Sequence, residues 1–134
     1  MRSRLTFFIS GILVALFAAG GFAAELGVQR SSAGGVTVEI TPQNLAAGAK
    51  RWDFKVVLDT HSAELNDDLV KSSLLLDGAG GRHAPLAWKG APPGGHHREG
   101  VLQFKPISPA PQAIELQIKR SGETAPRSFR WQLK

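Results

Sequence analysis

Hydrophobic and polar residues alternate with a period of two along most of the chain beyond residue 36. This alternation is typical of β-strands that bury one face and leave the other in water. Seven short segments, each bounded by turn-forming residues, show either this alternation or a short apolar run. They are residues 36–40, 52–59, 74–76, 86–89, 101–105, 114–119 and 128–133. With no convincing helix among them, they predict an all-β fold, a seven-stranded antiparallel immunoglobulin-like β-sandwich over residues 36–134.

Two segments depart from this alternation. Residues 24–35 have no periodicity, which predicts a flexible leader. In residues 62–70, Ser62 can cap a helical turn with Leu65 and Leu69 on one side. The simpler interpretation of this segment is a crossover between the two sheets, and both interpretations stay open. The chain shows neither an internal repeat nor a second domain.

The N-terminus has the pattern of an export signal. Arg2 and Arg4 precede an apolar run over residues 5–19, and small residues follow up to Ala24. This order predicts a secretory signal peptide over residues 1–23, cleaved after Ala23 or Ala24, and a periplasmic or secreted protein. Retention as a membrane anchor is the alternative, but the run is shorter than the ~20 residues that a spanning helix needs.

Composition excludes several kinds of site. The chain has no cysteine, so it has no disulfide, no thiolate nucleophile and no Cys-ligated zinc. Its net charge is +5, and two of the basic residues lie in the predicted signal, which leaves +3. This small value, with Arg98, Arg127 and Arg130 scattered along the chain, argues against nucleic-acid binding. We also expect no membrane contact after signal cleavage.

Histidines and neighbouring carboxylates are the candidate metal ligands. His96 and His97 begin a strand, so their side chains point to opposite faces of the sheet. His97 then shares the outward face with Glu99, and Asp59 shares an outward face with His61 at the end of another strand. If the two strand ends meet, these four residues form a set that suits Zn(II) or Cu(II). The alternative is an ordinary polar surface.

The remaining polar residues have simpler interpretations. His83 lies in a turn-rich hairpin tip and is expected to be solvated. Residues 66–68 offer too few oxygens for Ca(II). Arg98 falls on the inward face of its strand. With Glu99 it is expected either to form a surface ion pair or to staple a loop. The apolar positions of the strands predict this core: Trp52, Phe54, Leu58, Trp88, Phe104, Leu116 and Trp131.

No catalytic residue is predicted. Ser62 lies beside His61, but adjacency in sequence does not make a hydrogen-bonded triad, and the chain has no nucleophile elbow. Phosphate-binding and dinucleotide-binding glycine motifs are also missing. We therefore expect no organic cofactor, and Cu(II) or Zn(II) is the one inorganic alternative.

Two strings in the chain are distinctive: LDTHS at residues 58–62 and GGHHREGVL at residues 94–102. With the run beginning at Trp52, they resemble a group of small exported bacterial β-sandwich proteins that have no established activity. The resemblance covers most of residues 36–134. It implies a bacterial, exported single domain and transfers no functional residue.

These observations favour one function and leave one alternative. The first is a non-enzymatic binding or interaction module of the bacterial envelope, with another envelope protein as partner. The alternative is a periplasmic Cu(II)- or Zn(II)-binding module that uses His61 and His97, assisted by Asp59 or Glu99.

Overall fold

Alternation along each strand sends one row of side chains into a shared core and the other row into water. The computed structural model describes residues 26–134, and the predicted signal over residues 1–23 lies outside them. In chain order the described elements are β1 (Gln29–Ala33), β2 (Val36–Asn44), β3 (Trp52–Thr60), α1 (Leu69–Ser72), β4 (Ser73–Leu76), β5 (Arg82–His83), β6 (Ala87–Gly90), β7 (His97–Phe104), β8 (Ala113–Ile118) and β9 (Arg127–Gln132).

The strands form two sheets that enclose one core. The larger sheet has the order β1-β2-β3-β7-β6, and the smaller has the order β5-β4-β8-β9. Each strand pair is antiparallel. The prediction of an all-β, two-sheet antiparallel fold is therefore confirmed, whereas the strand number over residues 26–134 is nine and the predicted seven is wrong.

Both additional strands lack an apolar pattern of their own. Strand β1 lies within residues 24–35, the predicted flexible leader, and its sequence QRSSA is polar. It is held instead by backbone pairing with β2 across a tight turn at Gly34 and Gly35. Their φ values of 56° and 76° are the left-handed values that a two-residue hairpin of this kind requires. Strand β5 has two residues, too few to show any alternation.

Strand β2 runs further than its hydrophobic pattern predicted. The pattern stops at Pro42, but pairing with β3 continues to Asn44 through an irregular register. Pairing with β1 ends at Ile40, so the last part of β2 is a sheet edge on that side. Proline is tolerated at such an edge because its missing N–H breaks no ladder bond.

Residues 61–68 form the crossover from the larger sheet to the smaller one. The helical turn comes later than the Ser62 cap predicted, because Asp68 caps α1 by accepting hydrogen bonds from the amides of Val70 and Lys71. Leu65 and Leu69 are both buried and fix the crossover to the core. Over residues 26–134, no helix has the length and apolar character needed to cross a membrane.

The predicted core residues fill the space between the sheets. Six of the seven are buried, and Trp88 is half-buried and packs against the others. The Phe54 ring of the larger sheet lies 5.6 Å from Phe104, edge to face, and 5.6 Å from Trp131 of the smaller sheet. Aromatic contacts of this geometry add to the free energy gained from burial and join the two sheets.

The two ends of the sandwich carry different connections. We call one the loop end; it holds the turn at 34–35 and the connections 61–68, 91–96 and 119–126. We call the other the terminal end; it holds residues 26–28, the C-terminus and the connections 45–51, 77–81, 84–86 and 105–112.

Replacing a core tryptophan tests this packing. Trp52 is 1% exposed, so Trp52→Ala should lower the free energy of unfolding by about 3–5 kcal/mol, through lost burial and the cavity left behind. Leu86 is 58% exposed, and Leu86→Ala should change it by less than about 0.5 kcal/mol. Urea unfolding followed by tryptophan fluorescence measures both. Equal stabilities of the two variants would contradict the packing described.

Candidate functional site

Three of the four predicted metal ligands come together on the outer face of the larger sheet. Asp59 of β3 is the register partner of His97 of β7, so the two strand ends do meet. His97 Nδ1 lies 2.5 Å from Asp59 Oδ1, and His97 Nε2 lies 3.4 Å from Glu99 Oε2. His61 is exposed just beyond the end of β3 and is not hydrogen-bonded to this group.

The positions of the two carboxylates decide what this group can bind. Asp59 and Glu99 contact opposite nitrogens of the His97 ring, so the ring lies between them. An ion at either nitrogen would therefore have one of the two carboxylates within reach. Among residues 26–134, no three His, Asp or Glu side chains are placed to hold one metal ion.

Charges in this group alternate in sign. Hydrogen bonding to Asp59, followed by that residue's charge and by the Glu99 contact, raises the pKa of His97. Hydrogen bonds from Lys55, whose Nζ lies 2.9 Å from Glu99 Oε1, and then from His97 lower the pKa of Glu99. The four side chains are between 42% and 57% exposed, so salt screens their attraction.

These contacts form an ion-paired group on the surface of the larger sheet. A general base needs a free ring nitrogen within reach of a proton to be abstracted. Both nitrogens of His97 already contact carboxylates, and no hydroxyl of the described chain is hydrogen-bonded to the ring. The group can exchange a proton with solvent.

The other two histidines lie apart from this group. His96 is exposed at the loop end, where its carbonyl accepts a hydrogen bond from the Thr60 amide at 2.9 Å. The side chain of His83 is 35% exposed and its Nε2 lies 3.1 Å from Asp77 Oδ2, so this residue is partly solvated and also hydrogen-bonded. The bond to His83, and then those from the amides of Ala79 and Gly81, lower the pKa of Asp77.

The loop end contains a second candidate site, built on three buried arginines. Arg98, Arg120 and Arg127 are 1%, 8% and 6% exposed. A buried cation is destabilising unless its donors find acceptors. The contacts of each guanidinium therefore show which parts of the chain it holds.

Arg127 uses all five N–H donors of its guanidinium. Two donate to the carboxylate of Glu123, at 3.0 and 2.7 Å. The other three donate to the carbonyls of Ser31, Ala33 and Val36, at 2.9, 2.8 and 2.8 Å. This side chain thus ties the β1–β2 hairpin of the larger sheet to β9 of the smaller one.

Arg120 ties the crossover loop to the smaller sheet. Its Nε donates to Asp67 Oδ2 at 2.7 Å, and its Nη2 donates to Asp67 Oδ1 at 3.4 Å and to the Glu64 carbonyl at 3.5 Å. Glu123 Oε2 lies 3.9 Å from Arg120 Nη1, so one carboxylate connects this arginine to Arg127.

Arg98 holds the same loop from the larger sheet. It donates to the carbonyls of Leu65, Asp67 and Ala91, and its Cζ lies 5.6 Å above the centre of the Trp88 ring. Burial lowers the pKa of Arg98, and the charges of two nearby aspartates oppose that effect. Its predicted inward orientation is confirmed. Of the two alternatives for Arg98 with Glu99, the ion pair is not formed, because Glu99 pairs with Lys55, and Arg98 holds a loop without Glu99.

Backbone contacts complete this end of the molecule. The Leu65 carbonyl accepts from the Gly94 amide at 2.8 Å, and the Leu65 amide donates to the Gly95 carbonyl at 3.2 Å. Loops 61–68 and 91–96 are therefore paired with each other as well as held by Arg98.

Trp88 packs beneath loop 91–96 and is hydrogen-bonded to it. Its ring lies against the cross-strand pair Gly90 and Gly100, where a Cβ on Gly100 would come within 2.7 Å of Trp88 Cζ2. Its indole N–H donates to the Ala91 carbonyl at 2.9 Å. The residue packs inward, as its strand pattern predicted.

An open, polar cleft of about 670 Å³ lies on this framework, between the crossover loop, α1 and the β8–β9 loop. Its exposed lining includes Glu64, Asn66, Asp68, Lys71, Lys119 and Ser121. Sequence reasoning did not select these residues. The arrangement is suited to hydrogen bonding with a ligand or partner.

A conservative substitution tests the Arg127 contacts. Lysine carries three N–H donors, so Arg127→Lys leaves at least two acceptors without a partner. We expect a loss of about 2–4 kcal/mol in the free energy of unfolding. Arg130→Lys is the matched control, since that side chain is 78% exposed. A wild-type melting temperature for Arg127→Lys in differential scanning calorimetry would contradict the role described.

The pKa of His97 tests the outer-face group. Because it is raised, the protonated form contributes stability below the ordinary value of 6.5, and this contribution is lost as the pH rises through the raised value. Asp59→Asn should lower the pKa of His97, measured from its ring resonances by NMR. Glu39→Gln, on the same sheet face, should leave it unchanged. No response to Asp59→Asn would refute the contact.

The same resonances test the metal alternative. Asp59 and Glu99 contact different nitrogens of His97, so they do not form one site with His61. In a titration with Zn(II), we therefore expect that the ring resonances of His61 and His97 do not shift together at one equivalent of metal. A joint change at one equivalent that Asp59→Asn abolishes would instead establish a metal site.

Comparison with known proteins adds no assignment to these two sites. No protein-family model, no curated protein and no solved structure matches the chain.

Proposed function

We propose that the chain is an exported, non-enzymatic interaction module of the bacterial envelope, an immunoglobulin-like sandwich that follows a signal peptide and binds another envelope protein through its loop end. One observation carries this proposal: three buried arginines hold the loops of that end in place before any partner arrives.

Fixed loops favour binding for an entropic reason. Association costs free energy for every loop and side chain that becomes ordered at the interface. Here the crossover loop is held by Arg98 from one sheet and by Arg120 from the other. Most of the conformational entropy of this loop is therefore lost when the domain folds and not when a partner binds. Other scaffolds that present binding loops on a rigid sheet framework have the same advantage.

The chemistry of the loop end favours a polar partner surface. The exposed side chains around the cleft include two acidic residues, Glu64 and Asp68, and two basic ones, Lys71 and Lys119. Both large exposed hydrophobic residues of the described chain lie elsewhere. A partner should therefore bind through hydrogen bonds, paired charges and bridging water.

Other surfaces are less suited to a protein partner. The outer face of the larger sheet pairs its charges internally, at Lys55–Glu99 and Arg30–Glu39. The edge at β1 is tied to β9, because Gln29 bonds the backbone of Arg130 through both atoms of its amide. The loop end combines a cleft with immobilised loops.

Site-specific cross-linking in cells tests the proposal. A photoreactive amino acid at Asn66 or Ser121 should give a discrete adduct with another envelope protein, because both positions are exposed beside the cleft. Ala47 and Gln112, exposed at the terminal end, are the matched control positions and should not give that adduct. Adducts of equal yield at all four positions, or none at the loop end, would sink the proposal.

A further inference from the structure

Exposed charges are segregated along the sandwich. Four carboxylate residues of the described chain are exposed: Asp59, Glu64, Asp68 and Glu99. All four lie in the half nearer the loop end, on the crossover loop or on the adjoining ends of β3 and β7. The terminal end therefore has no exposed Asp or Glu side chain among residues 26–134.

The terminal end instead carries five exposed basic residues: Lys50, Arg51, Arg82, Lys105 and Lys134. The last register pair of β3 and β7 is Trp52 with Phe104, so Arg51 and Lys105 lie side by side just beyond it. Within residues 26–134, none of the five forms an ion pair. The exposed side chains of this end therefore carry an excess of positive charge.

Exposed apolar side chains occur at the same end. Val28 and Leu86, 53% and 58% exposed, are the large hydrophobic residues left in solvent over the described chain. Val28 precedes β1, and Leu86 precedes β6. The two residues therefore lie at opposite edges of the larger sheet. A surface that carries both basic and exposed apolar residues binds membrane interfaces, by attraction to anionic headgroups and insertion of the apolar groups.

The N-terminal residues join the domain at this end as well. The Gly27 carbonyl accepts a hydrogen bond from the Trp131 indole at 2.8 Å, which fixes the start of the described chain beside the end of β9.

We propose that the terminal end docks on an anionic phospholipid surface. The sequence predicts no membrane contact after signal cleavage, but neither composition nor net charge describes a surface whose charges are segregated. Exposed Val28 and Leu86 favour a bilayer over an acidic protein, because apolar side chains insert into a membrane interface. Docking here leaves the loop end, on the opposite side, free for a partner.

Vesicle co-sedimentation tests this inference on the chain from Ala24 to Lys134, which contains both sheets and the whole described core. It should bind vesicles of phosphatidylcholine mixed with phosphatidylglycerol, and not vesicles of phosphatidylcholine alone. Binding should weaken as salt is added, because salt screens exposed charges.

Charge-reversal variants locate the binding surface. Lys50→Glu with Arg51→Glu should reduce partitioning onto the anionic vesicles by more than about tenfold, since each basic residue near such a surface contributes roughly fivefold. Lys71→Glu with Lys119→Glu makes the same change in net charge at the loop end and should reduce it by less than about threefold. Circular dichroism confirms that both variants keep their β-structure.

An apolar variant tests the insertion of side chains. Val28→Ser with Leu86→Ser should lower partitioning at every salt concentration, because apolar insertion is not screened. Equal binding to neutral and anionic vesicles, equal losses in the two charge-reversal variants, or no vesicle binding would each overturn the inference. Cross-linking at Asn66 reports on the protein partner separately, so either proposal can fail alone.

Discussion

Hydrogen bonds from three buried guanidinium groups to main-chain carbonyls determine the shape of the loop end. Arg127 joins the first hairpin to the last strand, and Arg98 and Arg120 hold the crossover loop between the sheets. Each cation is tolerated in the core because carbonyl and carboxylate oxygens replace most of its water. These bonds add to the apolar packing of the sandwich, and they join its two sheets at this end.

Period-two alternation predicted most of the fold but not these arginines. It located every strand with an apolar face and missed β1 and β5, whose positions come from backbone pairing. From the sequence, Arg98 is placed on the inward face of its strand, but Arg98 and Arg127 are counted among scattered charges, and Arg120 is not considered. Arg120 follows Ile118 in the inward phase of its strand, and Arg127 precedes Phe129 in the same way. For these two residues, a basic side chain in an inward position is the signal in the sequence that points to burial.

The outer-face group shows a second limit of sequence reasoning. The pleat correctly placed Glu99 beside His97 on the outer face, and the structure brings Asp59 to the same ring. The alternation of polar and apolar residues does not determine side-chain torsion angles. It therefore could not show that Asp59 and Glu99 contact opposite nitrogens of the His97 ring. His61 lies past the last residue of its strand, where the pleat no longer dictates direction.

The position of the first strand has a mechanical consequence. Strand β1 begins at the terminal end and leads to a turn at the loop end, where Arg127 holds it. A pulling force applied between the N-terminus and the loop end would run parallel to β1 and β2, whereas their hydrogen bonds lie across the strands. These bonds would be loaded together in shear and would not open one at a time, so the β1–β2 pair resists tension applied along its strands.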